Sequence, residues 1–285
     1  MIYSFLKLII FGIYEALIGF GNNLRVWPIR KTILADDLSN KIVLITGATD
    51  GIGKIAAMSI ASKGATVILT CRNIAKGEQT RTDILKHTNG QAKLHLIHLD
   101  LSSLTSVSLA TKTISELFDH IDVLINNGGI MGYPQQLSED GYEMHLATNH
   151  LGHFLLTNSL LPLLYKSSNP RVVTVSSTIN IVGKICFEDI NLKSTYSPLR
   201  AYAQSKLANL MFNRELARRH PKIHCYSLHP GMVRTNLFQP FPFYQRIFIN
   251  MVKYLFLIDQ KAGAQTILYC SFDDRCKDDS GSYYT

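Results

Sequence analysis

Cysteine is scarce in this chain of 285 residues. The five cysteines are odd in number and include no close C-x-x-C pair, which argues against a disulfide framework or a structural zinc site. Charged residues make up only 18%, and no basic run with interleaved aromatic residues accompanies the net charge of +8. That charge suits an anionic lipid or an anionic cofactor. We therefore expect no metal and no nucleic-acid partner, and the hydrophobic share of 46% excludes a disordered chain.

A long apolar run opens the chain, from Ile2 to Phe20, with Lys7 and Glu15 inside it. As a helix it would span roughly 28 Å, about one hydrocarbon thickness. We predict a hydrophobic membrane anchor over residues 1–24 and a linker over residues 25–40. Two alternatives stay open: a cleaved signal peptide, and an amphipathic helix lying on the membrane or on the protein's own body. Glu15 keeps the last alternative open, because a carboxylate in mid-bilayer is costly.

Basic residues follow this run, at Arg25, Arg30 and Lys31. Positively charged flanks tend to stay in the cytosol. We expect contact with membrane lipid at the endoplasmic reticulum membrane or at a lipid-droplet surface, and the basic flank fits a body that faces the cytosol.

Residues 41–285 read as one α/β domain, in which short β-branched strands alternate with helices. This alternation predicts a doubly wound parallel sheet covered by helices on both faces. The predicted strands are Ile42–Thr46, Thr66–Thr70, Leu94–Leu99, Ile121–Asn126, Arg171–Ser176 and Ile223–Leu228. The predicted helices are Gly53–Lys63, Ala75–His87, Ser103–Phe118, Gly141–Leu164 and Ala201–Arg219.

A glycine-rich turn from Thr46 to Gly53 joins the first strand to a helix that opens at Lys54. Glycines at such a turn let the backbone approach a pyrophosphate, and the helix N-terminus supplies free N–H groups and a positive dipole end. Because a strand precedes the turn and a helix follows it, we predict dinucleotide binding. The binding residues of this turn are Gly47, Thr49, Asp50, Gly51, Ile52 and Gly53.

The end of the second strand distinguishes the two nicotinamide dinucleotides. An acidic residue there would bind the ribose 2′-hydroxyl of NAD(H), but this chain has Arg72, with Lys76 close behind. A guanidinium can pair with a 2′-phosphate, so NADP(H) is favoured over NAD(H). Asp50 argues mildly against a nearby phosphate, and Arg72 could be merely solvated. Asp100-Leu101 ends the third strand, where the carboxylate could meet the adenine amino group or cap a helix.

Tyr202 and Lys206 lie four residues apart and so share one face of a predicted helix. A tyrosine has an ordinary pKa near ~10, too high for a base at neutral pH. A nearby ammonium favours the phenolate and is expected to lower that pKa. The pair could therefore move a proton to or from an alcohol or carbonyl oxygen.

In the order and spacing of these motifs, the chain resembles the short-chain dehydrogenase/reductase family, which has a Rossmann-type fold. The match also includes Asn126–Gly129, where Gly128 replaces the family's alanine, and the Pro230-Gly231 element. The resemblance implies catalytic roles for Asn149, Ser177, Tyr202 and Lys206. It further implies cofactor contacts from Asn127, Gly128, Tyr202, Lys206 and Thr235.

The resemblance also implies how the catalytic residues act. Tyr202 transfers the proton, Lys206 holds the nicotinamide ribose, and Ser177 binds the substrate oxygen. Asn149 would hold a water that relays protons from Lys206. The implied activity is NADP(H)-dependent oxidoreduction at CH–OH groups.

Three features resemble the retinol dehydrogenase-like branch of this family. They are the segment CRNIAKG, the segment NHLGHF, and the 25 positions between Ser177 and Tyr202. Other local segments resemble a polyprenol-oxidising member of the branch. The branch implies a lipophilic alcohol or aldehyde, retinoid-like or polyprenol-like, and a place in lipid metabolism.

The apolar segment Phe241–Ile258 falls where the family places its variable substrate-binding region. We predict a substrate lid over about residues 236–260, although a core helix would read similarly. The alternatives for function are a hydroxysteroid or general carbonyl reductase and a catalytically silent nucleotide-binding scaffold. A homodimer is compatible with the sequence. Relatives continue beyond Thr285, which leaves a naturally short tail and an incomplete one both open.

Overall fold

The computed structural model describes residues 2–23, 32, 34–234 and 256–285. Thr235 and the first twenty residues of the predicted lid, 236–255, lie outside the described residues. So do residues 1, 24–31 and 33 of the predicted anchor and linker.

Seven strands are described, and they form one parallel sheet with the order β3-β2-β1-β4-β5-β6-β7. The order reverses direction at β1, which is the doubly wound arrangement expected from the sequence. The first six strands agree with their predicted bounds within two residues, and the very short β7 was not predicted. The strands are β1 Ile42–Thr46, β2 Thr66–Cys71, β3 Lys93–His98, β4 Val123–Asn126, β5 Arg171–Val175, β6 His224–Leu228 and β7 Tyr283–Tyr284.

Helices cover both faces of this sheet. Successive residues of β1 point to opposite faces: Val43 and Ile45 enter one buried apolar cluster and Leu44 enters the other. The chain therefore folds as a single α/β domain with two core layers. The helices are α1 Ile2–Asn23, α2 Gly51–Ala61, α3 Ile74–His87, α4 Leu104–Leu117, α5 Met144–Leu146, α6 Gly152–Leu164, α7 Pro198–Arg219 and α8 Gln260–Phe272.

The predicted helix Gly141–Leu164 is wrong as a single helix. It starts three residues later, at Met144, and a π-helical turn over Ala147–Leu151 separates α5 from α6. Such single-turn widenings are frequent at functional sites. The turn contains Asn149, which is fully buried, so an interruption that periodicity cannot reveal coincides with a predicted catalytic residue.

Helix α1 lies against the body of the protein. Gly19 and Gly21 are buried, and a side chain at Gly19 would strike the carbonyl of Phe256. The Phe20 and Phe256 rings stack with centroids 5.7 Å apart. Among the described residues, no helix has the length and apolar character needed to cross a membrane.

Candidate active site

In the glycine turn, the backbone at Gly47 lies close to the backbone at Gly128. Gly47 adopts φ +63°, and a Cβ there would lie 2.7 Å from the Cα of Gly128. A Cβ on Gly53 would strike the Asn127 side chain, whose Nδ2 donates to the carbonyl of Thr46 at 2.9 Å. These positions require glycine for steric reasons. The turn thus presents bare backbone ahead of the N-terminus of α2, which suits a pyrophosphate.

Thr46 and His153 fix this turn from behind, and sequence reasoning missed both. The Thr46 hydroxyl accepts from the backbone N–H groups of Asn127 and Gly128, both at 2.9 Å. His153 Nδ1 lies 3.0 Å from the carbonyl of Asn149, so Nε2 accepts from Thr46 at 2.8 Å. Burial lowers the pKa of His153 to about 3. The neutral ring therefore links the cofactor turn to the predicted catalytic asparagine.

Asp50 and Gly128 refine two predictions about the turn. The Asp50 side chain caps α2 by accepting from Gly51 N at 2.6 Å. Its carboxylate thus occupies the first position of the helix N-terminus. A Cβ on Gly128 would lie 2.6 Å from Leu101 Cδ1. The family's alanine at this position would require the Leu101 side chain to move.

Arg72 and Asp100 meet at the carboxyl ends of β2 and β3. Arg72 Nε lies 4.0 Å from Asp100 Oδ2, and the Arg72 side chain is 65% exposed. Asp100 does not cap α4, because Ser103 does so, and Asp100 Oδ1 instead accepts from Ser102 N at 2.9 Å. Lys76 lies in the first turn of α3, where its N–H donates to Asn73. An exposed guanidinium therefore stands beside the predicted ribose position.

The four predicted catalytic residues converge beside this turn. Tyr202 and Lys206 are buried on α7, and Lys206 Nζ lies 5.7 Å from the Tyr202 ring centre. Ser177 ends the loop after β5 and caps the 3₁₀ turn Thr178–Val182. The Ser177 side chain is close enough to the Tyr202 phenol to lower its pKa. A buried phenol and a buried ammonium thus lie near a half-buried hydroxyl.

Burial controls the ionisation of the phenol and the ammonium. It raises the pKa of Tyr202 to about 12, which the nearby Ser177 side chain partly offsets. It lowers the pKa of Lys206 to about 8. The pKa of Tyr202 is thus raised and not lowered, because the cost of a buried phenolate dominates; the effect of Lys206 on it stays a prediction. The phenol is therefore a proton donor at neutral pH.

Lys206 and Asn149 are each held by backbone groups. Lys206 Nζ donates to the carbonyl of Val175 at 2.9 Å. The Asn149 amide accepts from Ile130 N at 2.8 Å and donates to Ile130 O at 3.0 Å and to Ser205 Oγ at 2.9 Å. The side-chain amide of Asn149 is thus engaged by protein groups, and its role in a proton relay stays a prediction.

Helix α1 approaches the same side of the domain. It packs on the 3₁₀ turn that follows Ser177. Glu15 Oε2 lies 3.6 Å from Nε2 of buried His229, which precedes the Pro230-Gly231 element. Glu15 thus points into the protein, in agreement with the alternative that places the helix on the protein's own body.

The residues present fit a nicotinamide dinucleotide. The bare backbone at Gly47, Gly53 and Gly128 is a cradle that any Cβ would fill, and the buried Lys206 lies next to it, since a Cβ on Gly129 would be 3.6 Å from Nζ. Within the described ranges, no group of three or more histidine, cysteine, aspartate or glutamate side chains could hold a metal ion.

A model of the short chain dehydrogenase family matches residues 41–242. This chain belongs to that family. It is therefore an oxidoreductase of a family that uses a nicotinamide cofactor. Retinol dehydrogenase 14 of Mus musculus is 40% identical over 262 residues, which cover 87% of this chain and 78% of the relative. Retinol dehydrogenase 12 of Homo sapiens is 40% identical over 253 residues with the same coverage. The predicted retinol dehydrogenase-like branch is confirmed.

Solved structures share the fold. An uncharacterised protein from Mycobacterium Paratuberculosis matches with a TM-score of 0.66 at 37% identity, over 84% of this chain and 78% of that one. A short chain dehydrogenase from Shigella flexneri, complexed with NADP, matches with a TM-score of 0.67 at 26% identity, over 87% and 98%.

Proposed function

We propose that this short-chain dehydrogenase moves hydride between NADP(H) and a lipophilic alcohol or aldehyde, retinoid-like or polyprenol-like. The observation that carries the proposal is the cluster of buried Tyr202, Lys206 and Asn149 with half-buried Ser177, beside a glycine cradle. Retinol dehydrogenases at 40% identity support the class of substrate.

The nicotinamide supplies the hydride donor or acceptor when it is bound. Tyr202 donates its phenolic proton to the carbonyl oxygen in the direction of reduction, which its raised pKa allows. Ser177 hydrogen-bonds that oxygen where charge develops. Lys206 would hold the nicotinamide ribose, and its pKa of about 8 would let it resupply the proton that Tyr202 gives up near neutral pH. Thr235 would contact the carboxamide.

A substrate panel tests the reaction. Purified full-length protein is mixed with NADPH and with retinal, a polyprenal, a ketosteroid or a short aldehyde in single-turnover assays. We expect the fastest turnover with retinal or the polyprenal. A preference for the ketosteroid or the short aldehyde would favour the hydroxysteroid or general carbonyl reductase instead. No turnover of any compound despite NADPH binding would indicate a silent scaffold.

Arg72 supports the choice of NADP(H), because it leaves an exposed guanidinium at the end of β2. Family structures complexed with NADP or NADPH agree with this choice. Arg72→Asp places a carboxylate where the 2′-phosphate would lie, so kcat/KM should fall for NADPH and rise for NADH. An unchanged ratio of the two values would make Arg72 a bystander and direct attention to Lys76.

Helix α1 supports association with membrane lipid. Five apolar side chains on its outer face are between 37% and 59% exposed. They recur at helical spacing, as in helices that lie in the membrane interface. They are Ile10, Ile13, Tyr14, Leu17 and Phe20.

We place this contact at the endoplasmic reticulum membrane or a lipid-droplet surface, with the body in the cytosol. The positive flank formed by Arg25, Arg30 and Lys31 supports that orientation. Because α1 packs beside the turn after Ser177, a lipid-dissolved substrate would have a short way to Tyr202.

A homodimer is a further part of the proposal. An apolar groove of about 1130 Å³ includes residues of α6 and α7, among them the exposed Phe154 and Met211. A second copy would cover these side chains. Sedimentation of wild-type and Met211→Asp protein tests this, and a wild-type monomer would exclude it.

A further inference from the structure

A fully buried carboxylate and imidazole lie next to the catalytic tyrosine, and the mechanism above leaves them without a role. Glu143 and His145 are both 0% exposed, with Glu143 Oε1 2.7 Å from His145 Nδ1. The His145 ring meets the Tyr202 ring edge-on, with centroids 6.3 Å apart. Burying such a pair is costly unless each polar atom finds a partner. The hydrogen-bond partners of Glu143 and His145 therefore indicate what this buried pair does.

Every polar atom of the pair is satisfied. Glu143 Oε1 also accepts from His145 N at 2.9 Å, and Oε2 accepts from Leu146 N at 2.8 Å. His145 Nε2 lies 3.3 Å from the backbone nitrogen of Tyr133. Because a backbone N–H only donates, Nε2 accepts and Nδ1 carries the proton toward Glu143. Glu143 thus selects the tautomer of His145 that can accept from Tyr133.

The segment held in this way, Ile130–Tyr133, runs across the catalytic residues. At one end, Ile130 forms both backbone bonds with the Asn149 amide. At the other end, Tyr133 is held by His145, and its carbonyl accepts from Tyr196 Oη at 2.7 Å. Between these ends, Met131 packs against the small apolar cluster that contains Tyr202. The segment therefore forms a wall beside the phenol.

We propose that Glu143 and His145 are a positioning pair, which fixes the wall Ile130–Tyr133 against Tyr202 and so sets the place of the substrate carbon. The proposal rests on the function proposed above. The pair acts through the wall and does not exchange protons with substrate. Loosening the Tyr133 end of the wall should impair hydride transfer more than coenzyme binding, because the glycine cradle adjoins the other end, which Thr46 and Asn149 hold.

Three substitutions at position 145 test the role of each imidazole nitrogen of His145 separately. Glutamine places an amide near Nε2 and can still accept from Tyr133, whereas asparagine places one near Nδ1 and reaches only Glu143. His145→Phe keeps a flat ring for Tyr202 and removes both polar atoms. Asp119→Asn is the matched control, because Asp119 forms an exposed carboxylate–imidazole contact with His120 at 2.6 Å.

Hydrogen exchange of the peptide that covers the wall is measured by mass spectrometry, together with kcat, KM and the dissociation constant for NADPH. In H145F and H145N we expect exchange to quicken. In H145F, which loses the bond to charged Glu143 as well, kcat/KM should fall by about 10- to 100-fold, and in H145N, which loses only the neutral bond to Tyr133, by about 2- to 10-fold. H145Q should stay closer to wild type. Asp119→Asn should match wild type, and NADPH binding should be unchanged throughout.

The two readouts separate this proposal from the proposed function. If the wild-type protein turns over no substrate, the proposed function fails, and the order of exchange rates still decides the role of the pair. Wild-type exchange of the wall in H145F and H145N overturns the proposal. So does an equal loss of melting temperature and NADPH binding in all three variants, which would mean a general structural role. Should H145F not fold, H145Q and H145N make the comparison.

Discussion

Helices α1 and α7 each contain 22 residues, and both bury polar groups while they expose apolar ones. On α7 the buried face includes Tyr202, Ser205 and Lys206. On α1, Glu15 turns toward His229 while Leu17 remains 51% exposed. Helix α7 is nonetheless mostly polar, whereas α1 is mostly apolar. Both helices thus reverse the usual pattern of apolar residues inside and polar residues outside, and their different compositions indicate different reasons for this inversion.

Helix α7 buries polar groups because the carboxyl end of β5 supplies hydrogen-bond partners for them. Lys206 donates to the carbonyl of Val175, and the backbone carbonyl of Lys206 accepts from Ser176 Oγ at 2.7 Å. Helix α1 presents two buried glycines and one carboxylate to the protein and leaves five large apolar side chains exposed. An exposed apolar stripe of this kind marks an interaction surface. Catalysis explains the first inversion, and contact with lipid would explain the second.

The largest effect should follow from removing the proton donor of α7. Tyr202→Phe keeps the ring and its packing, and turnover should fall by about 10²- to 10⁴-fold, the usual worth of acid–base catalysis. NADPH binding should survive. Tyr165→Phe is the control, because its hydroxyl is exposed and contacts only His220 within the described contacts. Turnover of Tyr202→Phe at the wild-type rate would remove Tyr202 from the mechanism.

The next effect concerns the cost of the buried ammonium on α7. Lys206 has a pKa of about 8 in the folded protein, against an ordinary value of 10.5. Between these two pH values the unfolded chain binds more protons than the folded protein, so the free energy of unfolding rises with pH. Below pH 8 the folded protein bears the full cost of burying the charged Lys206 side chain. Relative to Lys206→Met, the wild-type free energy of unfolding should therefore rise by on the order of 3 kcal/mol from pH 8 to 10.5.

Urea unfolding of both proteins across this pH range measures that difference. The tyrosines and cysteines with raised pKa are common to both proteins, so their effects cancel. A difference that stays flat with pH would contradict the lowered pKa of Lys206.

The sequence predicts the backbone elements of this site better than its supporting contacts. Glycine spacing and strand order locate Gly47, Gly53 and Tyr202, because these depend on local pattern and on the parallel sheet. The role of His153 depends on tertiary packing, since Thr46 lies 107 positions away. The direction in which Glu15 points likewise depends on the surface against which α1 packs. The hydropathy pattern of the sequence does not show which surface that is.

The smallest effect should follow from a charge on the outer face of α1. Leu17→Asp removes an exposed apolar side chain, which would contribute about 1.5–3 kcal/mol on entering lipid, so partition onto anionic vesicles should weaken about tenfold or more. Leu199→Asp is the matched control on α7, because Leu199 is 52% exposed and lies in the first turn, where an acidic residue is tolerated. Flotation with vesicles measures both variants. Equal flotation of Leu17→Asp and wild type would mean that the outer face of α1 does not enter lipid, and the inversion of α1 would then require another protein surface to cover it.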